Sequence, residues 1–381
     1  MKDKEQITVC IIRSNPVRPD SRVEKEAWTL FKAGYRVHIL AWDRDTNDYE
    51  AEDVVCVGEH EIPITRLGHK ATYGEGLKNL KAYLAFQFHQ RKWLARHNFH
   101  IVHACDFDTA FFSQGIAKRK KAKFIFDIFD FLYGEPKNFI QKFVKALQFR
   151  IIDHADATII CTEERKNQIQ GSRPNKLIVI HNTPSLDQMK SHYAESDTLW
   201  EIDTDKINIV YVGILQDYRL LKEIAEVVKE NQQLKWHVAG FGKYEDYFRE
   251  LSTVYSNIKF YGKLSYEETL ELEKNCDIML AIYDPEIENH RFAAPNKFYE
   301  SLMLGKPVIM VENTGMSMVV REEDIGALIQ YSKEGFREGL DRLVLRKKDW
   351  LQMSKHMQTI YKDRYNWGEM EERLLSLYRS L

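Results

Sequence analysis

Short apolar, β-branched runs alternate with longer amphipathic stretches along this whole chain, and the alternation restarts once. Strands buried on both faces read as continuous apolar runs, and parallel strands need crossovers of about a dozen residues, usually helices. The first series predicts strands at 7–12, 37–42, 101–105, 124–130, 157–161 and 177–180. Its helices fall at 21–33, closed by Gly34, then at 77–88, 109–118 and 138–152. A polar stretch follows, and the second series then sets strands at 207–212, 236–239, 258–261, 278–282 and 307–311. Its helices are 220–230, 266–275 and 297–304, and one more amphipathic helix, 367–378, comes after the second sheet is complete. Two doubly wound α/β units in one chain predict ligand sites at the carboxyl ends of the strands, in a central cleft.

A chain of 381 residues suits two cores better than one. The expected division is a first domain over 1–183, a linker over 184–205, a second domain over 206–360 and a returning C-terminal helix over 361–381. Charge is uneven: residues 66–150 hold 16 Lys/Arg and 6 Asp/Glu, a local balance of +10 within a net charge of −2. That leaves −12 elsewhere and suggests an anionic surface facing the first half. The cysteines Cys10, Cys56, Cys105, Cys161 and Cys276 have no paired spacing and read as reduced thiols, neither a disulfide framework nor a zinc site. The charged first six residues predict no leader peptide, and no apolar run reaches the roughly 20 residues that span a bilayer. The expectation is a cytoplasmic protein with at most peripheral contact on the inner face of the membrane.

The most informative run is residues 294–309, from Ala294-Pro295-Asn296-Lys297 through Glu300 to Gly305-Lys306-Pro307. Pro295 can open a helix and Gly305 can close it before the next strand. A helix N-terminus offers unpaired N–H groups and partial positive charge, which suits a diphosphate. Asn296 and Lys297 add a neutral donor and a cation, and the two oxygens of Glu300 can accept both hydroxyls of a ribose. The plainer alternative is an ordinary helix with Glu300 facing solvent.

This run resembles the nucleotide-sugar segment of GT-B glycosyltransferases, especially family 4, in which the closing Glu, here Glu300, holds the donor ribose. Asp20-Ser21-Arg22 through Tyr35-Arg36-Val37, Val212-Gly213, Ala239-Gly240-Phe241-Gly242, Phe260-Tyr261-Gly262 and Tyr365-Asn366-Trp367 fit the same family in order. The resemblance implies a phosphate-binding Gly213, with Arg219 where a Lys is usual and Ile214 where an Arg is usual. Phe292 stands where the family carries a Glu near the transferred sugar. In the first half, His103-Ala104-Cys105-Asp106 resembles a strand ending in His-x-His-Asp, and Asp127-Ile128-Phe129-Asp130 occupies the place of Asp-x-His-Glu. With Phe129 replacing an imidazole, two carboxylates remain as candidate bases, Asp130 first and Asp127 second. Arg22 and Asp106 are expected to touch acceptor or sugar. The bland alternative is that these aspartates cap the next segment or pair with Arg22.

Asp43-Arg44-Asp45, Asp106-Phe107-Asp108 and Asp203-Thr204-Asp205 match a metal-binding spacing, as chance allows in so acidic a chain. The family implies no metal and no cofactor, with helix dipole and cations stabilising the leaving diphosphate. Basic residues around Phe139, Phe143 and Leu147, and again along 77–96, suit an anionic membrane surface, or else solvated helix faces. No nucleic-acid module accompanies the charge. The sequence therefore predicts a hexosyltransferase, of unresolved stereochemistry, moving sugar from a nucleotide donor to a glycan or lipid-linked acceptor. Its rivals are a nucleotide-sugar epimerase of the same fold and a non-catalytic binding partner.

Overall fold

The computed structural model describes residues 6–18, 20–57, 60–72, 79–185 and 200–381. The expected helix start at 77–78 and most of the expected linker lie outside them. The chain divides into two compact units, Met1–Ile180 with Met370–Leu381, and His181–Glu369.

The first unit holds eight described strands: β1 (Thr8–Arg13), β2 (Arg36–Asp43), β3 (Ala51–Val57), β4 (His60–Gly68), β5 (Ile101–Cys105), β6 (Lys123–Ile128), β7 (Ala157–Ile160) and β8 (Leu177–Val179). They run in the order β3-β4-β2-β1-β5-β6-β7-β8, parallel except for the β3–β4 pair. Val9 to Ile12 of β1 are fully buried, as a central strand covered on both faces requires. β3 and β4 were not legible in sequence. Glu52 and Asp53 break the apolar run of β3, and Pro63 argues against a strand except beside an edge, where β3 pairs with it. Helix Ser21–Lys32 starts because Asp20 caps it, accepting from the Val23 amide, and Glu24 bonds back to the Asp20 amide. Residues 370–381 end the helix Trp367–Arg379 and bury Met370, Leu374, Leu377 and Tyr378 within this unit.

Two helices present apolar residues outward. Leu80–Arg96 buries Phe86, Trp93 and Leu94 but leaves Leu80, Leu84 and Phe88 exposed. Phe139–His154 leaves Phe139 81% and Phe143 56% exposed.

The second unit orders its strands β11-β10-β9-β12-β13-β14, all parallel. They are β9 (Ile207–Ile214), β10 (Leu234–Phe241), β11 (Ile258–Phe260), β12 (Ile278–Ala281), β13 (Val308–Val311) and β14 (Gly326–Ile329). Helices Glu245–Val254, Ser317–Glu323, Lys333–Leu345 and Trp350–Ile360, with β14, add elements the sequence pattern hid. The four-residue β14 begins with Gly, and Gly335 and Gly339 weaken helix propensity. Gly339 is needed nonetheless, since a Cβ there would lie 2.2 Å from the Ile329 side chain.

Strand order reverses direction between β1 and β5 in one sheet and between β9 and β12 in the other. Chain leaving these neighbours diverges and opens a crevice at their carboxyl ends. At the second crevice Gly213 and Gly240 pair side by side, one residue before β9 and β10 end, with φ of 151° and 137°. A Cβ on Gly240 would sit 1.8 Å from the Gly213 carbonyl oxygen. Gly240→Ala should therefore cost on the order of 3 kcal/mol from clash and backbone strain, read as a lower midpoint in urea unfolding.

Candidate functional site

Each switch point gathers charged side chains. In the second unit, helix Asn296–Leu304 starts after Pro295, whose φ is −69°, and closes on left-handed Gly305. The first amides of a helix lack intrahelical partners, and here that of Phe298 is taken by the Pro295 carbonyl at 3.0 Å. The Lys297 ammonium reaches back to β9, where a Cβ on Gly213 would come 2.8 Å from Nζ. The same ammonium lies 5.2 Å from the Tyr211 ring centroid. Burial disfavours its charge, but Tyr283, Tyr211, Glu300 and Glu273 outweigh that and raise its pKa.

Arg219 follows in the loop after β9, where Tyr218 and Leu220 adopt φ of 68° and 51°. Its guanidinium stacks 4.2 Å from the Tyr283 ring centroid and lies near the Tyr211 oxygen. Tyr211 in turn donates to the Ile214 carbonyl at 3.0 Å. Gly213, Arg219, Asn296 and Lys297 thus converge on the carboxyl ends of β9 and β12. Two cations, an open backbone and a helix N-terminus suit an anion with several oxygens.

Glu300 lies one turn further in and is only 4% exposed. The Tyr266 hydroxyl lies against its carboxylate, and burial followed by the charge of Glu300 pushes that hydroxyl well above the usual tyrosine range. Glu273, on the neighbouring helix Tyr266–Asn275, is 1% exposed. Burial, then the charge of Glu300, drives the Glu273 carboxyl well above its usual range against the pull of Lys297.

In the first unit the cluster lies at the ends of β1, β5 and β6. Arg22 is buried, donating to Glu26 at 3.0 Å, to the Ile180 carbonyl at 2.8 Å and to Asp127 at 2.9 and 3.1 Å. The Tyr378 hydroxyl donates to His103 Nδ1 at 2.8 Å, so Nε2 carries the proton toward Asp127 at 3.3 Å. Burial opposes ionisation of Asp127, but Arg22 and His103 hold its carboxyl below the ordinary range. Burial, then Asp127, pushes Glu26 up to about 7. Both Arg22 and Asp127, expected at the surface of a reaction site, are closed to solvent and bound to each other.

Asp106 takes φ 68° and ψ 165°, a region that essentially only glycine visits freely. One of its carboxylate oxygens accepts from the Phe129 and Asp130 amides at 2.9 Å each, while the other accepts from Arg13. The strained residue therefore ties down the chain leaving β6. Phe129 is gripped between two guanidinium groups, Arg13 at 4.3 Å and Arg22 at 4.4 Å from its centroid. Asp130 is the open carboxylate, 67% exposed, with Arg165 Nη2 at 3.8 Å.

The sequence reading did not single out Arg13, Tyr211, Glu273, Tyr283 or His290. A charged residue ending the apolar run of β1 was the available signal for Arg13; the others come together only by topology. Among the described residues, His103, Cys105 and Asp127 place ligand atoms within 4.8 Å of one another. Arg22 on Asp127, and a Cys105 thiol that burial raises well above its usual range, oppose a cation there.

Residues 22–188 match the family model Glycosyltransferase Family 4, and residues 206–346 match Glycosyl transferases group 1. No curated protein sequence matches the chain. Among solved structures it resembles sucrose-phosphate synthase from Thermosynechococcus elongatus at 14% identity and a TM-score of 0.73, covering 98% of this chain and 99% of that one. HepE of Anabaena, in complex with UDP-glucose, aligns at 12% identity and 0.69 over 99% and 100% of the two chains. UDP-GlcNAc 2-epimerase from Methanocaldococcus jannaschii aligns at 16% and 0.61 over 98% and 100%. At such identities the likeness shows the fold, two Rossmann-like units of GT-B type.

Arg22→Ala should destabilise the first unit by about 3–5 kcal/mol, because it strands buried Asp127 and Glu26 without their cation. Denaturant unfolding at neutral pH measures this, and an unchanged midpoint would show that the cluster does not depend on Arg22.

Proposed function

The chain belongs to the group 1 glycosyltransferases, and on that premise we propose that it moves a hexosyl residue from a nucleoside-diphosphate sugar to a glycan or lipid-linked acceptor. The setting that fits is assembly of a cell-surface polysaccharide or glycolipid. The observation that carries the donor half is the convergence of Lys297, Arg219, Gly213 and the first turn of Asn296–Leu304. There the diphosphate would meet two cations and the helix N-terminus, while Glu300 accepts the ribose hydroxyls once they replace the Tyr266 hydroxyl. HepE, which shares the fold, is described with UDP-glucose, a ligand of this chemistry.

On the acceptor side the exposed Asp130 is the proposed base, with Asp106 fixing its backbone and the buried Asp127 holding His103 and Arg22 in place. No metal enters this scheme, since the cations at the donor site face the charge that develops on the leaving diphosphate.

Exposed Phe139, Ile140 and Phe143, beside Lys137 and Lys142, support attachment to an anionic bilayer. No helix among the described residues is long and apolar enough to cross a membrane.

Four measurements test this reading. Lys297→Ala should weaken calorimetric binding of UDP or GDP about 10- to 100-fold, the loss of a charge-assisted phosphate contact. Asp130→Asn should lower kcat about 10²- to 10⁴-fold with little change in nucleotide affinity. Conversion of a nucleotide sugar incubated without acceptor would instead support an epimerase. The double variant Phe139→Ser, Phe143→Ser should lose most sedimentation with phosphatidylglycerol vesicles, and wild-type binding should fall as salt rises.

A further inference from the structure

His290 lies on the short helix Glu288–Arg291, between β12 and the helix that carries Lys297. Its position is fixed from several sides. Its carbonyl accepts the Gly315 amide at 2.8 Å, and its ring meets Tyr283 edge-on at 5.3 Å between centroids. Nδ1 lies 2.9 Å from the Asp284 carbonyl oxygen, which can only accept, so Nδ1 carries the proton. Nε2 then presents a lone pair, to which Arg219 Nη1 donates at 3.3 Å. Arg219 also donates to the Tyr218 carbonyl at 3.0 Å, so its Nη1 is spent on neutral acceptors.

We infer that His290 is a third, conditional cation of the diphosphate site, taking a proton from solvent on Nε2 as the arriving diphosphate turns Arg219 toward its oxygens. An anion in place of the guanidinium's neutral acceptors reverses the electrostatics at Nε2, because a nearby opposite charge favours the protonated form. The imidazolium then donates to a phosphate oxygen while Nδ1–H stays on Asp284. The groups facing the ring include Arg219 from the loop after β9, Tyr283 and the Asp284 carbonyl after β12, and the Gly315 backbone after β13. Glu288 and Arg291 share its own helix. The sequence places this imidazole two residues before Phe292, so it brings a polar group to a stretch where the family's Glu is missing.

This inference rests on the nucleotide-sugar reading of the same site. Nε2 binds its proton more tightly in the complex, so affinity is greatest below the titration of the free imidazole and declines as pH rises through that of the bound one.

The test is calorimetry of UDP-glucose and GDP-mannose binding to the full chain in buffers of different ionisation enthalpy. The diphosphate of a nucleotide sugar stays fully ionised near neutrality and contributes no protons of its own. The expected result is net uptake of about half a proton or more near pH 7, with affinity falling about tenfold from pH 6 to 8. In His290→Gln, which keeps a donor at the Nε2 position but cannot titrate, uptake and pH dependence should both vanish. A thermal melt confirms that the variant folds. Wild-type binding without proton uptake would overturn the inference, as would uptake that persists in His290→Gln. Failure of both nucleotide sugars to bind at all would instead bring down the reading beneath it.

Discussion

The donor half of this protein depends on two side chains that are absent. Gly240 lets β10 close against the Gly213 carbonyl, and Gly213 leaves the space into which the Lys297 ammonium reaches. Neither residue binds through a side chain, yet a methyl group at either position would displace the cation or the strand that positions it. The remaining cradle follows from this close approach. Tyr211, near the end of β9, lies beside both Lys297 and Arg219, so the two cations are gathered at one crevice before any anion arrives.

The first unit uses its charges differently. Arg22, Glu26, Asp127, His103 and Tyr378 form one buried chain of ion pairs and hydrogen bonds, which ties the terminal segment 370–381 to the sheet. Such a cluster costs desolvation and is tolerated because nearly every member is paired. Phe129, set between Arg13 and Arg22, caps the cluster. With an apolar ring at that point, the exposed carboxylate beside it is Asp130, whose backbone is held by the strained Asp106.

The sequence pattern was clearest where elements are long and periodic. β5, Tyr266–Asn275 and the helix carrying Lys297 fall within a residue of their expected bounds, because continuous burial and strong caps leave little choice. Short or glycine-bearing elements such as β14 and Lys333–Leu345 were hidden, since tertiary packing rather than local preference holds them. The stripe Leu80, Leu84 and Phe88 showed helical spacing but not direction: spacing gives a face, and only the fold shows that it points outward. At the site, residue types at strand ends were readable, but burial was not. Nothing in the spacing of Arg22 and Asp127 reveals that they meet, and nothing near Glu300 announces that Tyr266 and Glu273 enclose it.

The central claim is that a diphosphate rests at the amino end of Asn296–Leu304 and its ribose on Glu300. A crystal structure of the chain soaked with UDP or GDP tests it most directly. The account predicts phosphate oxygens within hydrogen-bond distance of Lys297 Nζ and Arg219, and a ribose in place of the Tyr266 hydroxyl on Glu300. A nucleotide bound elsewhere, with Glu300 still closed by Tyr266, would contradict it.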